Sequence, residues 1–246
     1  MILDGRHIAD EIVSGLGDTL RGMTLGIVMN AGDPATRSFV KIKTRVAERL
    51  GVVVKEYTPA DSAAAVAECD AVVVQLPIEG ADALLAQVPH TKDVDNYPVA
   101  PVAAAVAEIL ARTNVDPNNK KVVVVGEGKL VGAPVAQLLR AMGANVSVVT
   151  LEQGSLDELK DADIVVSGAG SPGLIRPETL KQGVVLIDAG TSESAGKLAG
   201  DCDPRCAEVA RVFTPVPGGV GPIAVAMLFK NLLTLDRHDD GLAGRA

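Results

Sequence analysis

Lys121-Val122-Val123-Val124-Val125-Gly126-Glu127-Gly128-Lys129-Leu130-Val131-Gly132-Ala133-Pro134 is the stretch from which the rest of the chain can be read. Four consecutive valines suit a strand buried on both faces, and from Val131 to Met142 the apolar residues recur at helical spacing. Between the two, three glycines stand in the order GxGxxxG, one residue longer than the GxGxxG of a dinucleotide-binding turn. Glycines at such a junction let a ligand approach the backbone closely and leave N–H groups facing it at a helix start. Taken alone, the spacing does not separate a cofactor loop from an ordinary strand-to-helix turn.

Downstream, Asn145 to Thr150, Ile164-Val165-Val166 and Val184 to Ile187 read as further strands, with a short helix at Leu156 to Leu159. Upstream, an amphipathic helix over 4–21 carries Ile8, Ile12, Leu16 and Leu20 on one stripe. Leu25 to Met29, Val52-Val53-Val54 and Ala71 to Val74 are apolar strands. The spacing predicts helices over Thr36 to Leu50, ending at Gly51, over 61–68, and over Val102 to Ala111. Strands alternating with helices imply crossover units and parallel sheets. The expected fold class is therefore α/β, in two α/β lobes over 1–104 and 105–222. The second should be a Rossmann-like doubly wound parallel sheet, and the cleft between lobes is the expected ligand site. The polar tail after Asp236 reads as fraying.

Composition narrows the function. Of 246 residues 48% are hydrophobic, yet there is no Trp, two Tyr and three Phe, so the core is built from Ala, Val, Leu and Ile. A net charge of −8 without any basic block argues against nucleic acid and anionic membrane surfaces as partners. Cys69, Cys202 and Cys206 form no disulfide framework and no CxxC pair, which suits a reducing cytoplasm. Cys202 and Cys206 are four apart, but no nearby His completes a metal site, and no metal is expected. No apolar run is long enough to span a bilayer, and no signal peptide is recognisable.

A second glycine-rich segment, Thr214-Pro215-Val216-Pro217-Gly218-Gly219-Val220-Gly221-Pro222, follows the strand-like Val209 to Phe213 and precedes helical spacing from Ile223 to Leu235. These nine residues resemble the C-terminal signature of the bifunctional methylenetetrahydrofolate dehydrogenase/methenyltetrahydrofolate cyclohydrolase family. The 126–134 loop is similar to that family's Gly-x-Ser-x-x-Val-Gly-x-Pro, with Gly128 where Ser is usual. The resemblance runs from Asp4-Gly5 to about Leu233, and it implies that the C-terminal helix (223–246) rejoins the first lobe.

In the first lobe, Gly32-Asp33-Pro34-Ala35-Thr36-Arg37-Ser38-Phe39-Val40-Lys41-Ile42-Lys43 looks like the family's Asp-x-Pro-Ala-Ser followed by Tyr-Val-x-x-Lys. Lys43 falls on the catalytic lysine, and Phe39 replaces the tyrosine. Spaced i and i+4, the two share one helix face. The ring can pack against the aminobenzoyl part of folate but cannot hydrogen-bond. Val74-Gln75-Leu76-Pro77 resembles Val-Gln-Leu-Pro, and Lys92-Asp93-Val94-Asp95 resembles Lys-Asp-Val-Asp-Gly, with Asn96 for the glycine. The resemblance implies that Gln75 orients a water or the lysine and that Asp95 accepts hydrogen bonds from the pterin. Here the chain also departs from the pattern: Asp95-Asn96-Tyr97 runs straight into Pro98-Val99-Ala100-Pro101, without the family's intervening loop or its Cys, Thr and Gly.

The implied activity is oxidation of 5,10-methylenetetrahydrofolate to the methenyl form and its hydrolysis to 10-formyltetrahydrofolate. Folate is the small-molecule substrate and NADP or NAD the cofactor. Lys43, Gln75 and Asp95 would be catalytic, with Phe39, Pro217, Gly218 and Gly219 also touching substrate. Gly126, Glu127, Gly128, Lys129, Val131 and Gly132 would meet the cofactor, joined by Glu152, Thr191, Pro215 and Gly221. Glu152, in Thr150-Leu151-Glu152-Gln153 at the end of the strand after the glycines, favours NAD. A carboxylate suits the 2′-OH, and no Arg or Lys stands there for a 2′-phosphate. The family implies a cytoplasmic homodimer. Two rival expectations are a dehydrogenase with weak or lost cyclohydrolase activity and a non-catalytic folate- or nucleotide-binding relative.

Overall fold

The computed structural model describes residues 1–194 and 197–243, which divide into two compact units. One joins residues 10–101 to the segment from 225 onward; the other joins residues 1–9 to 102–224.

The chain opens with α1 (Gly5–Leu16). The Asp4 carboxylate caps it, accepting the N–H groups of Arg6 and His7 at 3.0 and 3.2 Å. The apolar stripe continues to Leu20, which is fully buried, but the helix stops earlier, because Gly17 takes the left-handed conformation (φ 56°) that ends helices. Then come β1 (Thr24–Val28), α2 (Pro34–Leu50), β2 (Val53–Tyr57), α3 (Ser62–Glu68) and β3 (Ala71–Val74). The three strands form a parallel sheet in the order β2-β1-β3, with Leu25 opposite both Val54 and Ala71. The central β1 and the edge strand β3 are buried along their apolar residues, as expected for strands covered on both faces. A short α4 (Ala81–Leu85) precedes the turn over 93–99.

The other unit begins in α5 (Pro101–Arg112), followed by β4 (Lys121–Val125), α6 (Gly132–Ala141) and β5 (Asn145–Val149). Next come β6 (Ile164–Ser167), β7 (Val185–Asp188), the short antiparallel pair β8 (Ser192–Ser194) and β9 (Lys197–Ala199), and β10 (Val212–Thr214). Five strands pair in parallel in the order β10-β7-β6-β4-β5. β4 has the next strand in sequence on one side and the one after it on the other. The winding therefore reverses between β4 and β6, and at such a reversal the carboxyl ends of an open sheet leave a crevice. The crossovers after β5, β6 and β7 carry 3₁₀ turns at 156–161, 177–179 and 204–208 where longer helices would be usual. The segment read as a helix at Leu156 to Leu159 is one of these, too short to hold an α-helix by itself.

Residues 1–9, grouped by sequence with the first lobe, instead belong to this unit, and Met1 to Leu3 extend its sheet. Leu3 N–H donates to Phe213 O at 2.9 Å, and Phe213 N–H donates to Met1 O at 2.9 Å. β10 is an edge strand, and the added segment satisfies backbone groups that would otherwise stand open. The last helix, α7 (Val220–Ala243), begins in this unit and continues into the other. It extends past Asp236, where fraying was expected; residues 244–246 lie outside the described residues.

The turn over 215–219 is closed by Gly219 N–H donating to Pro215 O at 2.8 Å, and Gly5 N–H donates to Gly218 O at 2.9 Å. A Cβ on Gly5 would overlap the Gly219 carbonyl oxygen, whereas one on Gly15, in the same helix, would meet no atom within 4 Å. Gly5→Ala should therefore destabilise the fold by about 1–3 kcal/mol, and Gly15→Ala should stabilise it by about 0.5–1 kcal/mol. Denaturant melts of the two variants check the pair; equal midpoints would refute the close approach.

Candidate active site

α2 is started by Asp33, whose Oδ2 accepts Thr36 N–H at 2.9 Å and Thr36 Oγ1–H at 2.6 Å. Its inward stripe runs through Thr36, Val40, Ala47 and Leu50, all buried, and Lys43 lies within that stripe. An amine so placed needs an acceptor, and Lys43 Nζ donates to Gln75 Oε1 at 2.6 Å. Gln75 directly follows β3 and continues its pairing, with its N–H donating to Val28 O at 2.9 Å. Its Nε2 donates to Leu76 O at 2.9 Å, so the amide is held with its oxygen towards the amine.

Asp95 is the third member. Asp93 forms an isolated bridge with Val72, which brings the turn alongside β3. The buried Asp93 carboxylate accepts the N–H groups of Asp95 and Asn96 at 3.1 and 3.2 Å and Asn96 Nδ2–H at 2.9 Å. Asn231 of α7 spans the other side, its Nδ2 donating to Val94 O at 2.9 Å and to Val99 O at 2.8 Å. The turn therefore closes without the longer loop of the family pattern. Burial lowers the pKa of Lys43, and the Asp95 carboxylate opposes that fall. Burial also raises the pKa of Asp95, with Lys43 opposing and Asp93 adding to the rise. Two groups of opposite charge are thus each drawn towards neutrality by burial, while each opposes the shift of the other. Phe39, one turn before Lys43, is 36% exposed and leaves part of its ring open to contact.

The other unit carries a cavity of about 370 Å³ at the carboxyl ends of β4, β5 and β6. It is lined by Gly126, Glu127 and Gly128, by Thr150 to Gln153, and by Gly168 and Ala169. Each glycine of the loop has a separate physical reason. Gly126 takes φ 98°; Gly128 has no atom within 4 Å of a Cβ position; a Cβ on Gly132 would overlap the Gly126 carbonyl oxygen. These are the tight turn, the open approach and the close helix packing that a pyrophosphate-binding turn requires, so the residues present fit a dinucleotide. Thr150 and Gln153 close a turn, with Thr150 N–H donating to Gln153 O at 2.8 Å and Gln153 N–H to Thr150 Oγ1 at 2.9 Å. Glu127 and Glu152 are the charged residues of the lining, and both are acidic.

Of the other cofactor candidates, Val131 packs against Gly168, while Lys129, Thr191 and Gly221 are exposed and lie outside the cavity lining, as does Pro215. Pro217, Gly218 and Gly219 form the turn before α7. Sequence reasoning passed over Leu151, Gln153, Gly168 and Ala169; the pair Gly168-Ala169 immediately after an apolar strand was the available signal. Cys202 and Cys206 are buried thiols whose pKa values burial pushes up, that of Cys206 to about 11. Among the described residues no group of three or more His, Cys, Asp or Glu side chains is arranged to hold a metal. Nor is any described helix long and apolar enough to cross a membrane.

Residues 100–239 match the family model described as the NAD(P)-binding domain of tetrahydrofolate dehydrogenase/cyclohydrolase. The bifunctional protein FolD of Halothermothrix orenii is 34% identical over 277 aligned positions, covering 96% of this chain and 98% of that protein. That alignment is longer than the chain itself, so the relative has residues without a counterpart here. The Trypanosoma brucei methylenetetrahydrofolate dehydrogenase-cyclohydrolase, solved with NADP and an inhibitor, is 30% identical. It superposes with a TM-score of 0.88 over 100% of this chain and 99% of that one. The bifunctional FolD enzyme of Campylobacter jejuni gives a TM-score of 0.89 at 26% identity, covering 97% and 99%.

Replacing Lys43 by Met removes the cation that restrains Asp95, so the Asp95 protonation midpoint should move further up. Carboxyl ¹³C NMR titration reads this directly. A midpoint that stays put or falls would mean that the two groups do not sense each other.

Proposed function

This chain belongs to the tetrahydrofolate dehydrogenase/cyclohydrolase family, and from that premise we propose how its own residues perform the two reactions. It is an NAD(P)-dependent methylenetetrahydrofolate dehydrogenase/cyclohydrolase of one-carbon folate metabolism. The observation that carries the residue assignment is the hydrogen bond from Lys43 to Gln75, beside Asp95 on a buried face. In the hydrolytic step water attacks the methenyl carbon and a base must take one of its protons. The bond from that carbon to N5 then breaks as the hydroxyl proton passes to N5, leaving the formyl group on N10. Lys43, already lowered in pKa by burial, loses a further part of its proton affinity beside the cationic substrate. The neutral amine accepts the proton while Gln75 holds it in place. Asp95 accepts hydrogen bonds from the donor edge of the pterin, and Phe39 packs against the aminobenzoyl ring.

In the oxidative step the bound dinucleotide supplies the hydride acceptor. The chain contributes placement: the Gly126–Gly128 turn receives the pyrophosphate and Glu152 the ribose. Within this reading NAD is the preferred partner. A 2′-phosphate would meet Glu127 and Glu152 in the cavity lining, whereas a 2′-OH donates to a carboxylate. The free thiols Cys69, Cys202 and Cys206 fit a cytoplasmic enzyme, and the expected assembly is a homodimer. One observation favours a second reading, in which hydrolysis is weak: Phe39 supplies no hydroxyl beside Lys43.

Two measurements decide. Rates with NAD and NADP at equal concentration should favour NAD by about tenfold or more, the order of one charged hydrogen bond; NADP running ahead would overturn the cofactor assignment. Lys43→Met should lower methenyltetrahydrofolate hydrolysis by about 10²- to 10⁴-fold, the usual worth of a positioned acid or base. Methenyl absorbance follows this directly. Accumulation of methenyl product by the wild type would select the second reading.

A further inference from the structure

We propose that Asp201 is a positioning residue of the dinucleotide site, its carboxylate fixing the Gly168–Ser171 turn that forms one wall of the cavity. The inference rests on reading that cavity as the dinucleotide site. The turn leaves the sheet at the end of β6, where Gly168 N–H still donates to Val125 O at 2.8 Å. Beyond that bond the turn is wound around one side chain. Asp201 Oδ2 accepts Ser167 Oγ–H at 2.7 Å and Ala169 N–H at 2.7 Å, and Oδ1 accepts Ser171 N–H at 2.7 Å. Asp201 itself is fully buried. Bonds this short to a carboxylate are among the stronger hydrogen bonds a protein makes.

Two further observations make this a built device. A Cβ on Gly190 would overlap the Asp201 carboxylate, so that glycine keeps the space in which the carboxylate sits. The backbone that carries Asp201 is in turn held by Asp188 at the end of β7. Asp188 accepts the N–H groups of Gly190, Asp201 and Cys202 at 3.0, 3.2 and 2.9 Å. Asp188 N–H donates to Thr214 Oγ1 at 2.7 Å, which ties the arrangement to β10. Gly200 makes room there as Gly190 does for its neighbour: a Cβ on it would overlap the Asp188 carboxylate. Neither aspartate has a described role in either reaction, yet together they connect the ends of β6, β7 and β10 to the wall at Gly168 and Ala169.

Asp201→Asn keeps the shape but turns one acceptor into a donor facing an N–H group. The KM for the dinucleotide should rise by about 10- to 100-fold, the worth of one or two charged hydrogen bonds. The folate KM and the hydrolysis of methenyltetrahydrofolate, assayed without dinucleotide, should stay within about twofold, because hydrogen bonds made elsewhere are independent. Ser167→Ala removes one of the three bonds and should give a smaller rise in the same constant. Equal losses of oxidation and hydrolysis in Asp201→Asn would overturn the proposal in favour of a merely structural role. An unchanged dinucleotide KM would overturn it as well. A wild-type chain that hydrolyses methenyltetrahydrofolate but neither binds nor uses NAD or NADP would instead bring down the cofactor reading, and the proposal with it.

Discussion

An amine taken out of water keeps its proton only if something replaces its hydration, and Lys43 is where this chain meets that constraint. One carbonyl oxygen, Gln75 Oε1, receives the amine, and one carboxylate, Asp95, partly offsets the loss of solvent. Much of the surrounding structure follows from supplying those two groups. β3 must end where Gln75 can face α2, and the 93–99 turn must lie against β3 through the Asp93 bridge. Asp93 spends its own carboxylate on the N–H groups of that turn, so that Asp95 does not have to. Two acids two residues apart thus have separate tasks, one holding the backbone and the other facing the lysine.

The dinucleotide unit obeys a different constraint, that of main chain passing close to main chain. Gly126 and Gly132 approach within a distance that no side chain would allow, and Gly128 presents bare backbone to the cavity. Specificity then falls to the residues around this glycine frame. The turn from Thr150 to Gln153 places Leu151 and Glu152 at the rim, an apolar surface beside a negative charge.

Strong local signals made the sheets legible. Runs of valine and alanine gave β3 and β4 their full lengths, and Gly126 and Gly128 of the 126–132 pattern lie at the cavity. Lys43, Gln75 and Asp95 were singled out by resemblance, and of the two tasks open to Gln75, a water or the lysine, the structure shows the hydrogen bond to Lys43. What stayed hidden depends on partners distant in sequence. Met1 to Leu3 look like an unremarkable start until β10 is seen to need a neighbour. Asp188 and Asp201 are ordinary acids in a polar stretch, and only their burial at the strand ends reveals that they organise three loops. The short crossover at 156–161 is helical in pattern but lacks the length to be more than a 3₁₀ turn.

Asn231 lies 137 residues beyond Val94 and 132 beyond Val99, yet its single amide nitrogen bonds to both carbonyls. A ribosome delivers those carbonyls long before it delivers the amide. Until α7 has been made, the turn carrying Asp95 lacks the clasp that Asn231 supplies.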